Sequence, residues 1–137
     1  MGIVNAEITI QNRGDVTMVQ RGMMPEQDIR QITVTAMVDT GAATLVINEP
    51  VCRHLGLALE DVKEAELADG SKQVYSLTEP VQIQWKNRKT TCEALVVPTA
   101  NEVLLGAIPL EAMDLIIHPL KQELIGAHGE QEVHILK

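Results

Sequence analysis

The sequence has no Phe, one Trp (Trp85), one Tyr (Tyr75) and two Cys among its 137 residues. A core without aromatic bulk must be filled by Val, Ile, Leu, Ala and Met, and short runs rich in β-branched residues favour strands. Cys52 and Cys92 lack both the density of a secreted disulfide framework and the CxxC spacing of a zinc site, so both are expected as small reduced core residues. His54 beside Cys52 supplies only two candidate ligands, and His118, His128 and His134 are scattered. No metal and no cofactor is expected. Basic residues are also scarce, 11 against 19 acidic ones for a net charge of −8. That balance opposes binding to a phosphate backbone, so nucleic acid is not an expected partner. No apolar run approaches the ~20 residues that cross a bilayer, the N-terminus lacks a basic-then-apolar leader, and Ala6 stands where a myristoylation signal needs Ser or Thr. The expectation is a cytoplasmic protein with no membrane partner.

What is present fits one domain spanning residues 1–137, with 45% hydrophobic residues to form its core. Alternation predicts strands over residues 6–10 and 15–19, with Asn12-Arg13-Gly14 as the turn between them. The Arg13-Gly14-Asp15 tripeptide is read as part of that turn and not as an adhesion ligand. A long strand is predicted over 29–38, with Ile32, Val34, Ala36 and Val38 on one face, and a short apolar strand over 44–47. Asn48 reads as a helix N-cap, with Glu49 and Pro50 in the first turn and Gly56 as the stop. Strands over 61–68 and 72–77 flank Asp69-Gly70, a two-residue hairpin signal. A second hairpin has strands over 81–85 and 90–97 around residues 86–89. Residues 103–105 suit a buried strand, 108–115 a short helix, and 115–117, 121–125 and 133–136 late strands. The fold class expected is mostly β, a closed β-barrel with one or two short helices.

The segment Ala36-Met37-Val38-Asp39-Thr40-Gly41-Ala42 sends an apolar strand straight into Asp-Thr-Gly-Ala. Further on, Leu104-Leu105-Gly106 is followed by the short helix, with the Asp69-Gly70 hairpin between the two motifs. In this order and spacing the sequence resembles the retropepsin-like aspartic protease family, in its cellular or bacterial single-domain form. The resemblance runs from about residue 29 to residue 115. It implies a closed barrel that acts as a homodimer and an aspartic endopeptidase that cleaves a peptide or protein substrate. Asp39, Thr40 and Gly41 would form the catalytic loop. Ala42, the flap residues Asp69, Gly70 and Ser71, and Glu102, Val103 and Leu104 beside the second glycine motif would contact substrate. By the same resemblance Thr40 hydrogen-bonds across the dimer axis.

The chemistry asks for these residue types. Two carboxyls in contact cannot both ionise, so the pair shares one proton and serves as base and acid together. One Asp-Thr-Gly per chain supplies one carboxyl, so a twofold dimer must supply the other. The sequence departs from retroviral members by placing Ala43, Thr44 and Ala107 where an acid and an Arg partner are usual, and by a polar flap tip. Residues 133–136 are the expected dimer strand. Two other readings remain open, a catalytically silent dimerisation or peptide-binding module of the same fold, and a small β-barrel adaptor whose Asp39 is only a turn residue.

Overall fold

In the first strand of the computed structural model, which describes residues 3–134, apolar residues alternate with polar ones. β1 (Asn5–Asn12) buries Ala6, Ile8, Ile10 and Asn12 and exposes or half-exposes the residues between. It pairs antiparallel with β2 (Gln31–Val38), from Asn5 opposite Met37 to Gln11 opposite Gln31. β2 turns Ile32, Val34, Ala36 and Val38 inward as the alternation predicts.

The chain leaves β1 by a route the sequence reading missed. Residues 13–20 are not a turn and strand but a helix, α1 (Arg13–Gln20). Asn12 is its N-cap, accepting from the Asp15 amide at 3.1 Å while its side-chain amide donates to Leu55 O at 2.9 Å. Such a cap satisfies a helix donor that a turn would leave to water. Helix α2 (Glu49–His54) starts on the Asn48 cap and stops at Gly56, φ +60°, both as expected.

Between these helices and α3 (Ala107–Ala112) lie the remaining strands of the main sheet: β3 (Leu45–Ile47), β4 (Leu59–Glu66), β5 (Lys72–Thr78), β6 (Val81–Trp85), β7 (Arg88–Cys92), β8 (Ala94–Val96) and β9 (Val103–Leu105). Their order is β4-β5-β8-β3-β9-β2-β1-β6-β7. Among the described residues β4 and β7 are not paired with each other, so hydrogen bonding does not close the expected barrel. β4 is exposed along its length, with Ala65 alone half-buried, as expected of an edge strand that is not folded back onto the core.

Three local features also differ from expectation. The β4–β5 loop is three residues and not two, because Gly70 N donates to Leu67 O (2.9 Å), Leu67 N donates to Ser71 O (2.7 Å) and Gly70 takes φ +86°. A turn followed by a left-handed glycine is the usual three-residue hairpin. The β6–β7 turn is Lys86-Asn87 with Lys86 at φ 51°, so its second strand begins at Arg88. The strand foreseen over 90–97 breaks at Glu93. There the Ala94 amide turns to the buried Thr78 hydroxyl (3.1 Å), and the chain passes from β6's side of the sheet to β3 and β5.

After α3, β10 (Leu115–Ile117) and β11 (Leu124–Gly126) form a separate antiparallel pair. Of the strand expected over 133–136, Val133 and His134 are irregular, and Ile135 and Leu136 lie outside the described residues. Ile8, Ile10, Leu45, Ile47, Leu55, Ile83, Leu105 and Met113 are the largest apolar side chains buried completely, an aliphatic core as the composition requires. No helix of the described residues is long and apolar enough to cross a membrane.

Candidate active-site loop and the apolar row beside it

β2 delivers Asp39 to the edge of a narrow frame. β9 lies parallel to β2 on one side and antiparallel to β3 on the other, so the strands that enter and leave the 39–44 loop both flank β9. Asp39 N donates to Leu105 O at 3.0 Å, Ala42 N returns to Asp39 O at 3.1 Å, and Gly41 N donates to the Asp39 Oδ1 at 2.9 Å. The carboxylate is thus oriented by its own loop, with its other oxygen free of that bond. Asp39 and Ala42 are half-buried, while Thr40 and Gly41 are exposed.

The second glycine motif clamps this loop. Ala107 N donates to Ala42 O (2.8 Å) and Ile108 N to Ala43 O (2.9 Å). A Cβ on Gly106 would sit against the carbonyl oxygens of Thr44 and Ala42, the latter at 2.5 Å. Only glycine permits that approach. The Thr44 hydroxyl donates to Glu93 O at 2.7 Å and fixes the loop's far end.

Strand register sorts the neighbouring side chains onto two faces. Val38, Leu105, Leu45 and Ala94 lie opposite one another on the core face, and Val103 opposite Ala36 shares it. Alternation puts Met37, Leu104, Val46, Leu95 and Leu77 on the other face, in one row across five strands. Val46 and Leu77 are buried there, and Met37, Leu104 and Leu95 are half-buried. The structure therefore splits two residues that the sequence reading grouped as pocket wall: Leu104 is on the row that begins two residues before Asp39, whereas Val103, 5% exposed, is in the core. A run of three apolar residues carries no sign of which one faces out. Met37, Val46, Leu95 and Leu77 were missed, although alternation from the inward Val38 would have marked Met37.

The remaining predicted residues lie apart in the hydrogen-bond network. Asp69, Gly70 and Ser71 form the hairpin tip, where the Asp69 carboxylate accepts from the Ser71 hydroxyl (2.6 Å) and amide (2.9 Å), which hold it below the usual carboxylate range. Glu102 is exposed just before β9. Among the described residues no hydrogen bond joins the tip or Glu102 to the Asp39 loop. No group of three or more His, Cys, Asp or Glu is placed to hold a metal among those residues.

On the other side of Thr40 is an apolar hollow of about 350 Å³ lined by Ala107, Leu110, Ile116 and Ile117. Its far wall is braced by Arg88, unexpected from the sequence: this arginine is 2% exposed, and its guanidinium donates to the Met113, Asp114 and Gly129 carbonyls at 2.9, 2.7 and 2.6 Å. Burial pushes the Asp114 carboxyl up, but the Val133 amide, His128 and Arg88 outweigh it and hold the group low.

A family model described as gag-polyprotein putative aspartyl protease matches residues 26–112, from the approach to β2 through α3. No curated protein matches the chain.

Proposed function

Because this chain belongs to the gag-polyprotein aspartyl protease family, we propose that it is an aspartic endopeptidase, one domain that works as a homodimer in the cytoplasm. The observation that carries the reading is the Asp39 loop, whose carboxylate is oriented by Gly41 N and whose backbone is locked to Leu105, Gly106 and α3. One such carboxyl cannot be both base and acid. Two, brought together on a twofold axis, share a proton: the ionised one takes a proton from water as it attacks the peptide carbonyl, and the protonated one serves the departing amine. Thr40 and Gly41, exposed beside Asp39, are the parts of the loop free to meet the second copy, and the apolar hollow beyond Thr40 gives that contact something to bury.

The substrate is an extended peptide. The row of Met37, Leu104 and Val46 offers its apolar side chains a floor, with Ala42 small enough to leave room beside the dyad. The tip at Asp69, Gly70 and Ser71 and the carboxylate of Glu102 contribute the polar contacts, while Val103 supports Leu104 from the core side. The free thiols of Cys52 and Cys92 support a reducing compartment.

A catalytically silent module of the same fold is the second reading, favoured by one observation: the Asp39–Gly41 hydrogen bond would shape the loop without any chemistry. Asp39→Asn separates the two. Cleavage of an unfolded protein substrate should fall to background while sedimentation still reports a dimer, because the amide keeps the shape and cannot act as base. Activity that survives the substitution, or a wild-type protein that stays monomeric with substrate present, would overturn the protease reading.

A further inference from the structure

The β4–β5 hairpin concentrates the charge of the chain. Residues 57–79 carry six acids, Glu60, Asp61, Glu64, Glu66, Asp69 and Glu79, against Lys63 and Lys72, a net charge of −4 out of −8. The same hairpin leaves Leu59, Val62 and Val74 exposed by 58, 61 and 62%. Register sets Val62 opposite Ser76 and Val74 opposite Glu64, so both valines share one face. On that face Leu59 and Val74, together with Cys52, Leu57 and Val96, line a cavity of about 700 Å³ between the hairpin and α2, whose lining also holds Arg53 paired with Glu49 at 3.4 Å.

This cavity lies behind the sheet as seen from the Asp39 row. Ser76 pairs with Val96 and Val96 with Ile47, and these alternate with Leu77, Leu95 and Val46, which belong to the row. β4 pairs only with β5 among the described residues, so its outer edge is open, although Val62 N is turned to Asp61 Oδ1 (2.8 Å) and the register shifts at Leu59–Asp61, where the strand borders the cavity.

We propose that the back of this hairpin is a docking site for a basic, extended peptide segment, which adds to the free edge of β4 as a strand and seats an apolar side chain in the cavity against α2. Each part of the surface selects for a part of that ligand. An open strand edge takes an extended chain. A mostly apolar hollow of several hundred cubic ångströms holds a side chain. A net charge of −4, which remains after Lys72 pairs with Glu64 at 3.5 Å, favours Lys and Arg and disfavours acidic partners. A second copy of this hairpin would bring −4 against −4, so self-pairing along the edge is opposed by the same charges that attract a basic segment. The proposal needs no cleavage and stands apart from the protease reading.

The test uses full-length protein carrying Asp39→Asn, so that no peptide is consumed. Fluorescence anisotropy compares a short labelled peptide alternating lysine with leucine, its glutamate–leucine counterpart, and the lysine peptide with alternate backbone amides N-methylated. The lysine peptide should bind and the other two should not. Glu60→Lys combined with Glu66→Lys should weaken binding about tenfold or more, as should Val74→Ser alone, whereas Glu7→Gln, an exposed acid on β1 outside both the hairpin and the Asp39 row, leaves the affinity unchanged. The proposal is overturned if the lysine peptide fails to bind, if the glutamate or N-methylated peptide binds equally well, if the hairpin substitutions have no effect, or if Glu7→Gln weakens binding as much as they do.

Discussion

Arg30 delivers three hydrogen bonds to the carboxylate of Asp15, from its backbone N (2.9 Å), Nε (2.8 Å) and Nη2 (2.9 Å). Its guanidinium also occupies the space above Gly56, where a Cβ would collide with it. One side chain thus joins the first turn of α1, the approach to β2 and the end of α2. Because β2 carries Asp39, this knot far from the loop helps to set the loop's starting point.

Asp15→Asn should therefore destabilise the fold by roughly 1–3 kcal/mol, toward the lower end because half of the Arg30 side chain is in water. The side-chain hydrogen bond from Arg30 holds the Asp15 carboxyl below its ordinary value. A depressed carboxylate contributes its stability in full above the unfolded value, about pH 4, and loses it as pH falls through the folded one. Urea midpoints for parent and variant should thus differ at pH 7 and converge well below pH 4. A gap that persists in strong acid would assign the effect to packing instead.

Gly106→Ala should damage the site more than any other single methyl group added near it. The new Cβ has to displace the carbonyls of Ala42 and Thr44, both backbone and both already tied to Asp39's loop. The expected cost is about 1–3 kcal/mol of overpacking, with cleavage lost even at temperatures where circular dichroism shows the variant folded. A folded and fully active variant would show that the loop tolerates movement.

The clamp at Gly106 was legible in outline, since both glycine motifs, the inward positions of β2 and the Asn48 cap follow from local pattern. Other features were not, and they share a cause. Asn12-Arg13-Gly14 is good turn chemistry and residues 15–19 alternate like a strand, whereas the partners that anchor the start of α1, Leu55 and Arg30, are distant in sequence. Arg88 falls in the hairpin loop expected over 86–89, and nothing local marks it for burial because its acceptors come from residues 113–129. The open edge of β4 depends on what β7 fails to reach. Local alternation gives the face of a strand once one residue is known to be buried, but it does not say which strands will meet.

Arg88→Met offers a strong test of one such distant contact. Methionine fills much of the arginine's volume, but the Met113, Asp114 and Gly129 carbonyls lose their donor and the buried Asp114 carboxylate loses a positive charge 3.8 Å away. A loss of about 3–5 kcal/mol is expected. It should appear first as protease sensitivity in residues 118–129, since among the described residues β10 and β11 pair only with each other. Uniform protection of that segment in the variant would mean that the pairing alone holds the tail.

Specificity should divide between the two residues next to the second glycine motif. Leu104 is half-buried on the row with Met37 and Val46, so truncating it removes apolar surface from the proposed substrate floor while leaving Val103 and Leu105 in the core. Leu104→Ala should lower kcat/KM for peptides with a large apolar residue at the scissile bond by about 10- to 200-fold, and much less for peptides with alanine there. Glu102→Gln removes a charge but little surface from an exposed position. Its effect should be confined to peptides with basic residues further from the bond and should shrink as salt is raised. A peptide-library digest between about pH 4 and 8 reads both at once, and turnover of all peptides should fall toward the alkaline end as the shared proton leaves the dyad. Loss of the large-apolar preference in Glu102→Gln but not in Leu104→Ala would place the floor on the wrong side of β9.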